Sequence, residues 1–204
     1  MSALFCGQVL KADREREELD TERELRRALD NKVLLLYFGS GQCPRCQRFV
    51  PLLRDFFYNL TDESRVERPC QLGLVYVSRD QTEQQQSRFL RSMPRRWLAL
   101  PFGDAFGREL ELRFSVSSLP SVVVLKPDGE VLVANAVEEI RQMGPSCFWN
   151  WQEAAEILDR NFRLAEDSEN YARRSLMDPL RRLKYKVDKD QEEEEEEDKD
   201  EEEQ

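Results

Sequence analysis

Two cysteines separated by two residues, Cys43 and Cys46, are the residues whose type and spacing best fit a chemical role. Thiolates attack disulfides and bind metals, and this spacing lets both thiols reach one partner. A thiol in such a motif at a helix start has a pKa of roughly 3.5–7.5 instead of about 8.5. Arg45 and Arg48 add positive charge nearby. We therefore predict a redox-active dithiol in which Cys43 is the exposed nucleophile and Cys46 resolves the mixed disulfide.

Two other interpretations of this pair stay open. The same spacing occurs in zinc sites, but zinc needs about four ligands and the chain contains no histidine. The further ligands would have to include Cys70 and Cys147, and neither belongs to a second Cys-x-x-Cys. The pair is also consistent with the remnant of a redox site that has lost its activity. The redox dithiol fits the surrounding pattern best, so we predict no metal and no bound cofactor.

The other three cysteines are predicted to take no part in the chemistry. Free cysteines are most often inert, buried side chains or surface bystanders. Cys147 lies beside two aromatic residues, which indicates packing, and Cys70 shows no pattern of its own. Cys6 is near the N-terminus, where its oxidation could join two chains.

The dithiol is predicted to lie where a central strand ends and a helix begins. Residues 33–38 are six consecutive apolar residues followed by a Gly/Ser turn, which is typical of a strand buried on both faces. Residues 47–60 then carry apolar side chains at helical spacing, with Pro51 expected to kink the helix. The open end of a helix has unpaired backbone N–H groups and a positive dipole, and both favour a thiolate.

The remaining pattern predicts an α/β fold with a mixed central sheet and helices on both faces. A strand, a helix and a second strand in succession imply a parallel, right-handed crossover, and a Pro-Asp-Gly turn implies a late antiparallel hairpin. A short edge strand is predicted within residues 4–10, and residues 93–102 are predicted to be extended. The other predicted elements are helices at 22–30, 81–91, 106–114 and 148–162, a helical turn at 137–143, and strands at 72–78, 121–125 and 130–134.

Charge is distributed unevenly and divides the chain into four parts. The chain holds 41 acidic and 31 basic residues; 13 and 2 of these lie in 188–204, so the remainder carries 28 and 29 and is nearly neutral. We predict an N-terminal extension over 1–19, one domain over 20–164, a basic extension over 165–187 and a disordered acidic tail over 188–204. The basic extension is either a solvated segment or a partner-binding or nuclear-localisation segment. The near-neutral domain gives no indication of nucleic-acid binding.

The cysteine count and the apolar pattern predict a reducing compartment. The first residues carry too short an apolar run for a signal peptide, and no stretch approaches the roughly 20 apolar residues of a membrane span. An odd number of cysteines, five, without an export signal is typical of the cytoplasm or nucleus. In those compartments a Cys-x-x-Cys beside a β-α pattern indicates redox chemistry before it indicates a structural disulfide.

Three separate motifs resemble thioredoxin-fold proteins of the nucleoredoxin and tryparedoxin group. The first is the strand, the C-P-R-C motif and the helix that contains Pro51. The second is W-L-A-L-P-F at residues 97–102, and the third is L-P-S-V-V-V-L-K-P-D-G-E-V at residues 119–131. The resemblance covers about residues 20–162 and implies a thioredoxin-like fold for them.

The resemblance also implies which residues meet a substrate. Pro120 is expected to form a cis peptide bond with Leu119 and to present the Leu119 backbone to a substrate strand beside the cysteines. Only about 5–6% of X–Pro bonds are cis, so this expectation rests on the resemblance. Pro44 and Arg45 are expected to touch the substrate as well. Trp97 is expected either to line the site or to be a packed part of its loop.

The chain departs from thioredoxins close to the dithiol. Thioredoxins carry tryptophan before the first cysteine and a buried carboxylate six residues before it, whereas this chain has Gln42 and Tyr37 at those places. Pro-Arg stands between the cysteines where thioredoxins have Gly-Pro. We therefore expect a thiol–disulfide oxidoreductase of restricted activity or substrate range. It would act on a protein disulfide and be reset by an external thiol reductant.

Within that group, the pattern with its charged tail is most similar to a branch associated with the survival of cone photoreceptors in the retina. This likeness implies an alternative function, a non-enzymatic trophic or binding protein that supports cones through a cell-surface partner and glucose uptake. The implied partners are basigin and a glucose transporter. The implied locations are the cytoplasm, the nucleus or the nuclear envelope, with a truncated form outside the cell.

Overall fold

The apolar run ahead of the dithiol forms the central strand β3, Val33–Gly39, and every residue of this strand is buried. The structure is a computed structural model, and it describes residues 2–12, 17–19, 22–29, 31–66 and 69–155. These residues lie in one compact unit, Met1–Phe162. Within them the sheet has seven strands, and β3 has a neighbouring strand on each side. The prediction of a strand buried on both faces is confirmed.

Strands and helices follow each other along the chain much as the sequence pattern predicts. The other strands are β1 (Leu10–Ala12), β2 (Glu17–Leu19), β4 (Leu72–Ser78), β5 (Leu98–Ala99), β6 (Ser121–Leu125) and β7 (Val131–Val133). The helices are α1 (Glu22–Leu29), α2 (Pro44–Thr61), α3 (Glu83–Arg91), α4 (Ala105–Arg113), α5 (Val137–Met143) and α6 (Cys147–Ala154), with 3-10 helices at Ser2–Phe5 and Gly144–Ser146. The predicted helices and strands from α1 to α5 are therefore confirmed, with ends that differ by a few residues. The terminal helix begins as predicted, but α6 ends at Ala154, and the rest of the predicted range, 156–162, lies outside the described residues.

The sheet is mixed, with the strand order β2-β1-β5-β4-β3-β6-β7. β4 pairs in parallel with β3 and β5, whereas β6 pairs antiparallel with β3 and β7. The predicted hairpin turn is closed by the Gly129 N–H, which donates to the Lys126 carbonyl oxygen at 3.0 Å. Gly129 has φ of +98°, which glycine adopts without steric cost.

The two faces of the sheet bury different apolar side chains, because successive residues of a strand point to opposite faces. On one face Leu34, Leu36 and Phe38 join a core that contains side chains of α1 and α4. On the other face Tyr37 packs against Phe49 of α2, with 6.3 Å between ring centroids. Helices therefore cover both faces, and the predicted fold class, α/β with a mixed central sheet, is confirmed.

The N-terminal residues differ from the sequence-based expectation. The edge strand expected within residues 4–10 is wrong, since Ser2–Phe5 is a 3-10 helix and β1 begins only at Leu10, between β2 and β5. The reason is that Phe5 buries its ring in the core, edge-to-face with Phe106 at 5.7 Å, and Gly7 at φ +75° turns the chain before β1. The segment predicted as an extension thus contributes two strands to the sheet.

Several predicted features lie outside the described residues. They are the basic extension, the acidic tail and the last turns of the terminal helix, all beyond residue 155. In the described part of the chain, no helix combines the length and apolar character needed to cross a membrane. The longest helix there is α2, 18 residues, which continues through Pro51.

Candidate active site

The dithiol lies on a tight turn between β3 and α2. The Cys43 N–H donates to the Ser40 carbonyl oxygen at 3.1 Å, and the Gln47 N–H donates to the Cys43 carbonyl oxygen at 2.9 Å. Cys43 is the N-cap of α2 with an extended backbone, φ −77° and ψ 121°, and Pro44 is the first helical residue. Proline suits this position because its fixed φ fits a helix and the N–H that it lacks would have no partner there.

Cys43 has a half-buried thiol whose surroundings favour the thiolate. The backbone N–H of Cys46 does most to lower the pKa of the Cys43 thiol, and burial opposes it. The Cys46 thiol, the backbone N–H of Arg45 and the charge of Arg45 also lower this pKa. These N–H groups belong to the first turn of α2, where no carbonyl of the helix is available to accept them. The structure therefore places Cys43 at an open helix end with access to solvent.

Cys46 is fully buried one turn into α2, and both thiols are free. Burial raises the pKa of Cys46 to about 11, and a hydrogen bond from the Ser40 backbone N–H opposes this only in part. The bonded Cys43 thiol raises the pKa of Cys46 further, because two adjacent thiolates would repel each other. The two thiols are therefore in contact and unequal.

Tyr37 stands where thioredoxins carry a carboxylate. Its ring is fully buried between Tyr76 and Trp97, at centroid distances of 5.5 and 6.0 Å, and its hydroxyl lies beside the Cys46 thiol. Burial raises the pKa of the Tyr37 hydroxyl, and the Cys46 thiol raises it further. Among the described residues this hydroxyl has no hydrogen bond of regular geometry, but it is close enough to the Cys46 thiol to lower the pKa of that thiol. Tyr37 therefore stays protonated at neutral pH and does not take up a proton as a carboxylate would.

Leu119 and Pro120 are joined by a cis peptide bond, as the family resemblance implies. Pro120 is buried and Leu119 half-buried, immediately before β6. The sheet register pairs Ser121 with Phe38, so Pro120 lies opposite the end of β3, where the chain leaves for the dithiol turn. The expected cis bond is confirmed, and it lies at the same edge of the sheet as that turn.

The expectation that Trp97 lines the substrate site is wrong. Its side chain is 2% exposed and packs edge-to-face on Tyr37 and Phe57, at a centroid distance of 6.0 Å to each. Its indole N–H has no partner in the described part of the chain. A side chain enclosed in this way belongs to the core beneath the dithiol and does not line a surface that a substrate could reach. The alternative, a packed part of the loop, is the one that the structure shows.

Asp80 is a candidate functional residue that the sequence analysis missed. One oxygen of its buried carboxylate accepts hydrogen bonds from Ser40 Oγ and the Gly41 N–H, each at 2.8 Å. The other oxygen accepts from Tyr76 Oη and Ser78 Oγ, each at 2.9 Å. The sequence did contain a signal, because polar residues follow two apolar runs directly, and a strand–helix–strand unit brings the ends of its strands to one edge.

A polar cavity of about 470 Å³ lies at the carboxyl end of β4. Asp80 lines it and also bonds the turn, while α4 supplies Arg108 on another side. Phe102, 38% exposed, is the part of the W-L-A-L-P-F segment that faces this cavity.

Pro44 and Arg45, the two residues between the cysteines, are exposed on the first turn of α2. A substrate can therefore reach those two residues, in contrast to Trp97.

The other cysteines occupy different environments. Cys6 and Cys70 are exposed, whereas Cys147 is buried and donates a hydrogen bond to the Gly144 carbonyl oxygen at 3.0 Å. Burial raises the pKa of Cys147 to about 12. No group of three or more His, Cys, Asp or Glu side chains within the described ranges is arranged to hold a metal ion. The zinc interpretation thus gains no support from these residues.

The sheet, the helix-start dithiol and the cis-proline together define a thioredoxin-like protein. A family model described as thioredoxin-like matches residues 31–131, which include β3, the dithiol and β6. The crystal structure of thioredoxin from Wuchereria bancrofti is similar with a TM-score of 0.58 and 26% identity, covering 74% of this chain and 97% of that one. Tryparedoxin II from C. fasciculata is similar with a TM-score of 0.57 and 25% identity, covering 73% and 95%.

Comparison of the sequence with that of a relative identifies the family within the thioredoxin-like class. Nucleoredoxin-like protein 1 of Mus musculus is 56% identical over 190 residues, which cover 93% of this chain and 88% of that protein. The chain therefore belongs to the nucleoredoxin-like protein 1 family. The resemblance to nucleoredoxins inferred from three motifs is thus confirmed over nearly the whole chain.

Proposed function

We propose that this chain is a thiol–disulfide oxidoreductase that exchanges its Cys43–Cys46 dithiol with protein disulfides. The observation that carries the proposal is the inequality of the two contacting thiols, since the pKa of Cys43 is lowered and that of Cys46 is raised to about 11. The reaction needs one thiol that attacks and a second that stays protonated until the first is bonded. Membership in the thioredoxin-like class supports the same chemistry.

In the first step the Cys43 thiolate attacks one sulfur of the substrate disulfide. A bond forms between the Cys43 sulfur and that substrate sulfur, the substrate S–S bond breaks, and the second substrate sulfur leaves as a thiolate that takes a proton from solvent. Backbone N–H groups of Cys46 and Arg45 stabilise the attacking charge beforehand. Cys46 does not compete for the substrate because it is buried and protonated.

In the second step Cys46 loses its proton and attacks the Cys43 sulfur. The mixed disulfide breaks, a Cys43–Cys46 disulfide forms, and the remaining substrate sulfur leaves as a thiolate. The substrate gains two electrons and two protons, and the dithiol loses them. The polar side chain beside Cys46 is Tyr37, which burial keeps protonated, so the proton passes to solvent or to the leaving thiolate. We infer that this second step limits the rate.

An external thiol reductant then resets the dithiol by the same exchange in reverse, returning two electrons and two protons. The scheme uses no bound cofactor and no metal. Substrates would approach over Pro44 and Arg45, which are exposed, and along the backbone of Leu119 beside cis Pro120. The exposed Gln42, in place of a tryptophan, offers less apolar surface to the substrate and thereby restricts its range.

The proposal is tested by reduction of a reference protein disulfide with a chemical reductant, for the wild-type chain, Cys43→Ser and Cys147→Ala. We expect wild type to turn over and Cys43→Ser to fall to the background rate. Cys147→Ala is the matched control and should stay within about twofold of wild type, because Cys147 is outside the dithiol. Thermal unfolding verifies that all three chains fold. A folded wild type without turnover would refute the proposal.

A binding function is the second candidate, and Tyr37 favours it. Without a carboxylate to accept the proton of Cys46, a mixed disulfide with a partner is resolved slowly, and a long-lived complex suits a binding protein better than an enzyme. We propose for this case a trophic role, in which a cell-surface partner is bound and cone survival is supported through glucose uptake. Basigin and a glucose transporter are the proposed partners. The full chain would lie in the cytoplasm, the nucleus or at the nuclear envelope, and a truncated form would act outside the cell.

Removal of the nucleophile separates the two candidates. The Cys43→Ser chain and the wild type would both be tested for binding to the isolated basigin ectodomain by biolayer interferometry. Equal affinities would support a binding role that does not need the dithiol. Absence of binding by both folded chains would count against this partner. Loss of binding in Cys43→Ser alone would show that the interaction depends on the Cys43 thiol.

A further inference from the structure

The buried carboxylate of Asp80 connects two adjacent strand ends. Asp80 is 9% exposed, and its four hydrogen-bond donors come from two sides. One oxygen bonds Ser40 and Gly41, which follow β3, and the other bonds Tyr76 and Ser78 at the end of β4. The parallel register pairs Gly39 with Ser78, which brings these two groups together although they are far apart in sequence.

The Ser40–Gly41 turn, to which Asp80 is hydrogen-bonded, also forms hydrogen bonds with both cysteines. Ser40 Oγ accepts from the Gln42 N–H at 3.2 Å, and the Ser40 carbonyl oxygen accepts from the Cys43 N–H at 3.1 Å. The Ser40 N–H donates to the Cys46 thiol. Gln47 Nε2 closes the other side by donating to the Gly41 carbonyl oxygen at 2.8 Å. The position of the Ser40 backbone therefore sets where both cysteines lie.

A carboxylate suits this place well, because donors face both of its oxygens. Four donors converge on it, and a carboxylate has two oxygens that accept several hydrogen bonds and need no acceptor of their own. Burial of such a charge is costly unless it is hydrogen-bonded in this way. The four bonds therefore offset the cost of burying this carboxylate and tie the end of β3 to the end of β4.

We propose that Asp80 is a positioning residue of the dithiol, which fixes the Ser40–Gly41 turn so that backbone N–H groups face the Cys43 and Cys46 sulfurs. Its consequence for turnover rests on the proposed oxidoreductase function, but the positioning itself does not. Asp80 lies just after β4 and acts on the cysteines through its hydrogen bonds to the turn.

Two pairs of variants test this role. Asp80→Ala and Asp80→Asn both remove the charge, but asparagine keeps one oxygen for Ser40 and Gly41, while the hydroxyls of Tyr76 and Ser78 can rotate to accept from its amide. Ser40→Ala removes the bond on the turn side, and Ser78→Ala removes a bond to the same carboxylate on the β4 side. The readout is the pH dependence of Cys43 alkylation, followed by peptide mass spectrometry on the full chain.

We expect Asp80→Ala to raise the apparent pKa of Cys43 by about 0.5–1 unit relative to Asp80→Asn, because displaced N–H groups no longer stabilise the thiolate. Ser40→Ala should shift it in the same direction by a smaller amount, and Ser78→Ala should leave it near the wild-type value. A purely structural carboxylate would lower the melting temperature in all variants without this selective shift.

Equal alkylation profiles for Asp80→Ala and Asp80→Asn would overturn the proposal, and so would a shift in Ser78→Ala as large as in Ser40→Ala. If Asp80→Ala does not fold, the serine pair alone decides between the same outcomes. Turnover is measured in parallel. A wild type that fails to turn over refutes the oxidoreductase function, whereas the alkylation profiles still report whether Asp80 positions the thiols.

Discussion

Cys43 and Cys147 both begin helices, yet their thiols have opposite properties. Cys43 precedes α2, is half-buried and has a lowered pKa. Cys147 is the first residue of α6, is fully buried and has a pKa of about 12. Its thiol donates to the Gly144 carbonyl oxygen, which only the protonated form can do. Position at a helix start therefore does not by itself activate a thiol.

The backbone ahead of each helix explains the difference. Cys43 has an extended backbone, with ψ of 121°, so the first N–H groups of α2 remain unpaired and reach its sulfur. Before α6 the chain already forms a 3-10 helix, Gly144–Ser146, and the Cys147 N–H is donated to carbonyl oxygens of that turn. Glu139 adds a negative charge that also raises the pKa of Cys147. A helix start stabilises a thiolate only where its N–H groups are unpaired and the sulfur is near water.

The largest expected difference between the two cysteines is in alkylation rate. At pH 7 a thiol of pKa about 12 is ionised to roughly one part in 10⁵, so we expect Cys43 to react at least about 100-fold faster than Cys147. The rate follows the thiolate, and the lowered pKa of Cys43 keeps its rate high until the pH falls below that pKa. Iodoacetamide labelling with peptide mass spectrometry measures both sites. In denaturant the two rates should converge, and equal rates in the folded chain would contradict this account.

Replacement of Cys46 should distinguish Cys43 from Cys147 by a second property, the lifetime of a mixed disulfide. In Cys46→Ser the Cys43 sulfur can form a mixed disulfide but nothing in the chain resolves it, so we expect its lifetime to increase by about tenfold or more. Non-reducing gels of the chain incubated with a protein disulfide measure the trapped species. Cys147→Ala serves as the control and should show no more mixed disulfide than the wild type. Equal lifetimes of the mixed disulfide in Cys46→Ser and Cys147→Ala would show that Cys46 is not the resolving thiol.

A smaller effect is expected from the charge beside Cys43. Arg45→Gln removes a charge that lowers the pKa of Cys43, but this charge is exposed and contributes less than the backbone N–H groups. We expect the alkylation rate at pH 7 to fall by about twofold, and less at high salt, because salt screens exposed charges. Arg48→Gln, also exposed on α2, is the matched control with a weaker effect. A tenfold fall would mean that charge outweighs the helix N–H groups.

The smallest effect is expected at Cys147. Glu139→Gln removes the charge that raises the pKa of Cys147 but keeps an oxygen for Trp151 Nε1, which donates to Glu139 at 2.9 Å. Because burial is the larger cause, Cys147 should stay nearly unreactive, with its alkylation rate at pH 9 raised by less than about twofold. The same labelling experiment measures it. A rise toward the rate of Cys43 would show that Glu139, and not burial, keeps Cys147 protonated.

Much of the site could be predicted because short-range patterns control it. The apolar run of β3, the proline that opens α2 and the Gly129 turn each act through neighbouring residues, so the strand, the dithiol turn and the hairpin follow from local sequence. The cis bond before Pro120 is different, since cis is a minority state and only the family resemblance supported it.

The sequence by itself determined the order of strands and helices, the dithiol and its place at the start of α2. Only the tertiary structure decided that Trp97 belongs to the core, because an aromatic side chain suits a core and a binding wall equally well until its neighbours Tyr37 and Phe57 are in place. It also decided which role Asp80 can have, because the contact between Asp80 and Ser40 joins residues 40 positions apart in the chain. Such contacts depend on strand register, which no local pattern encodes.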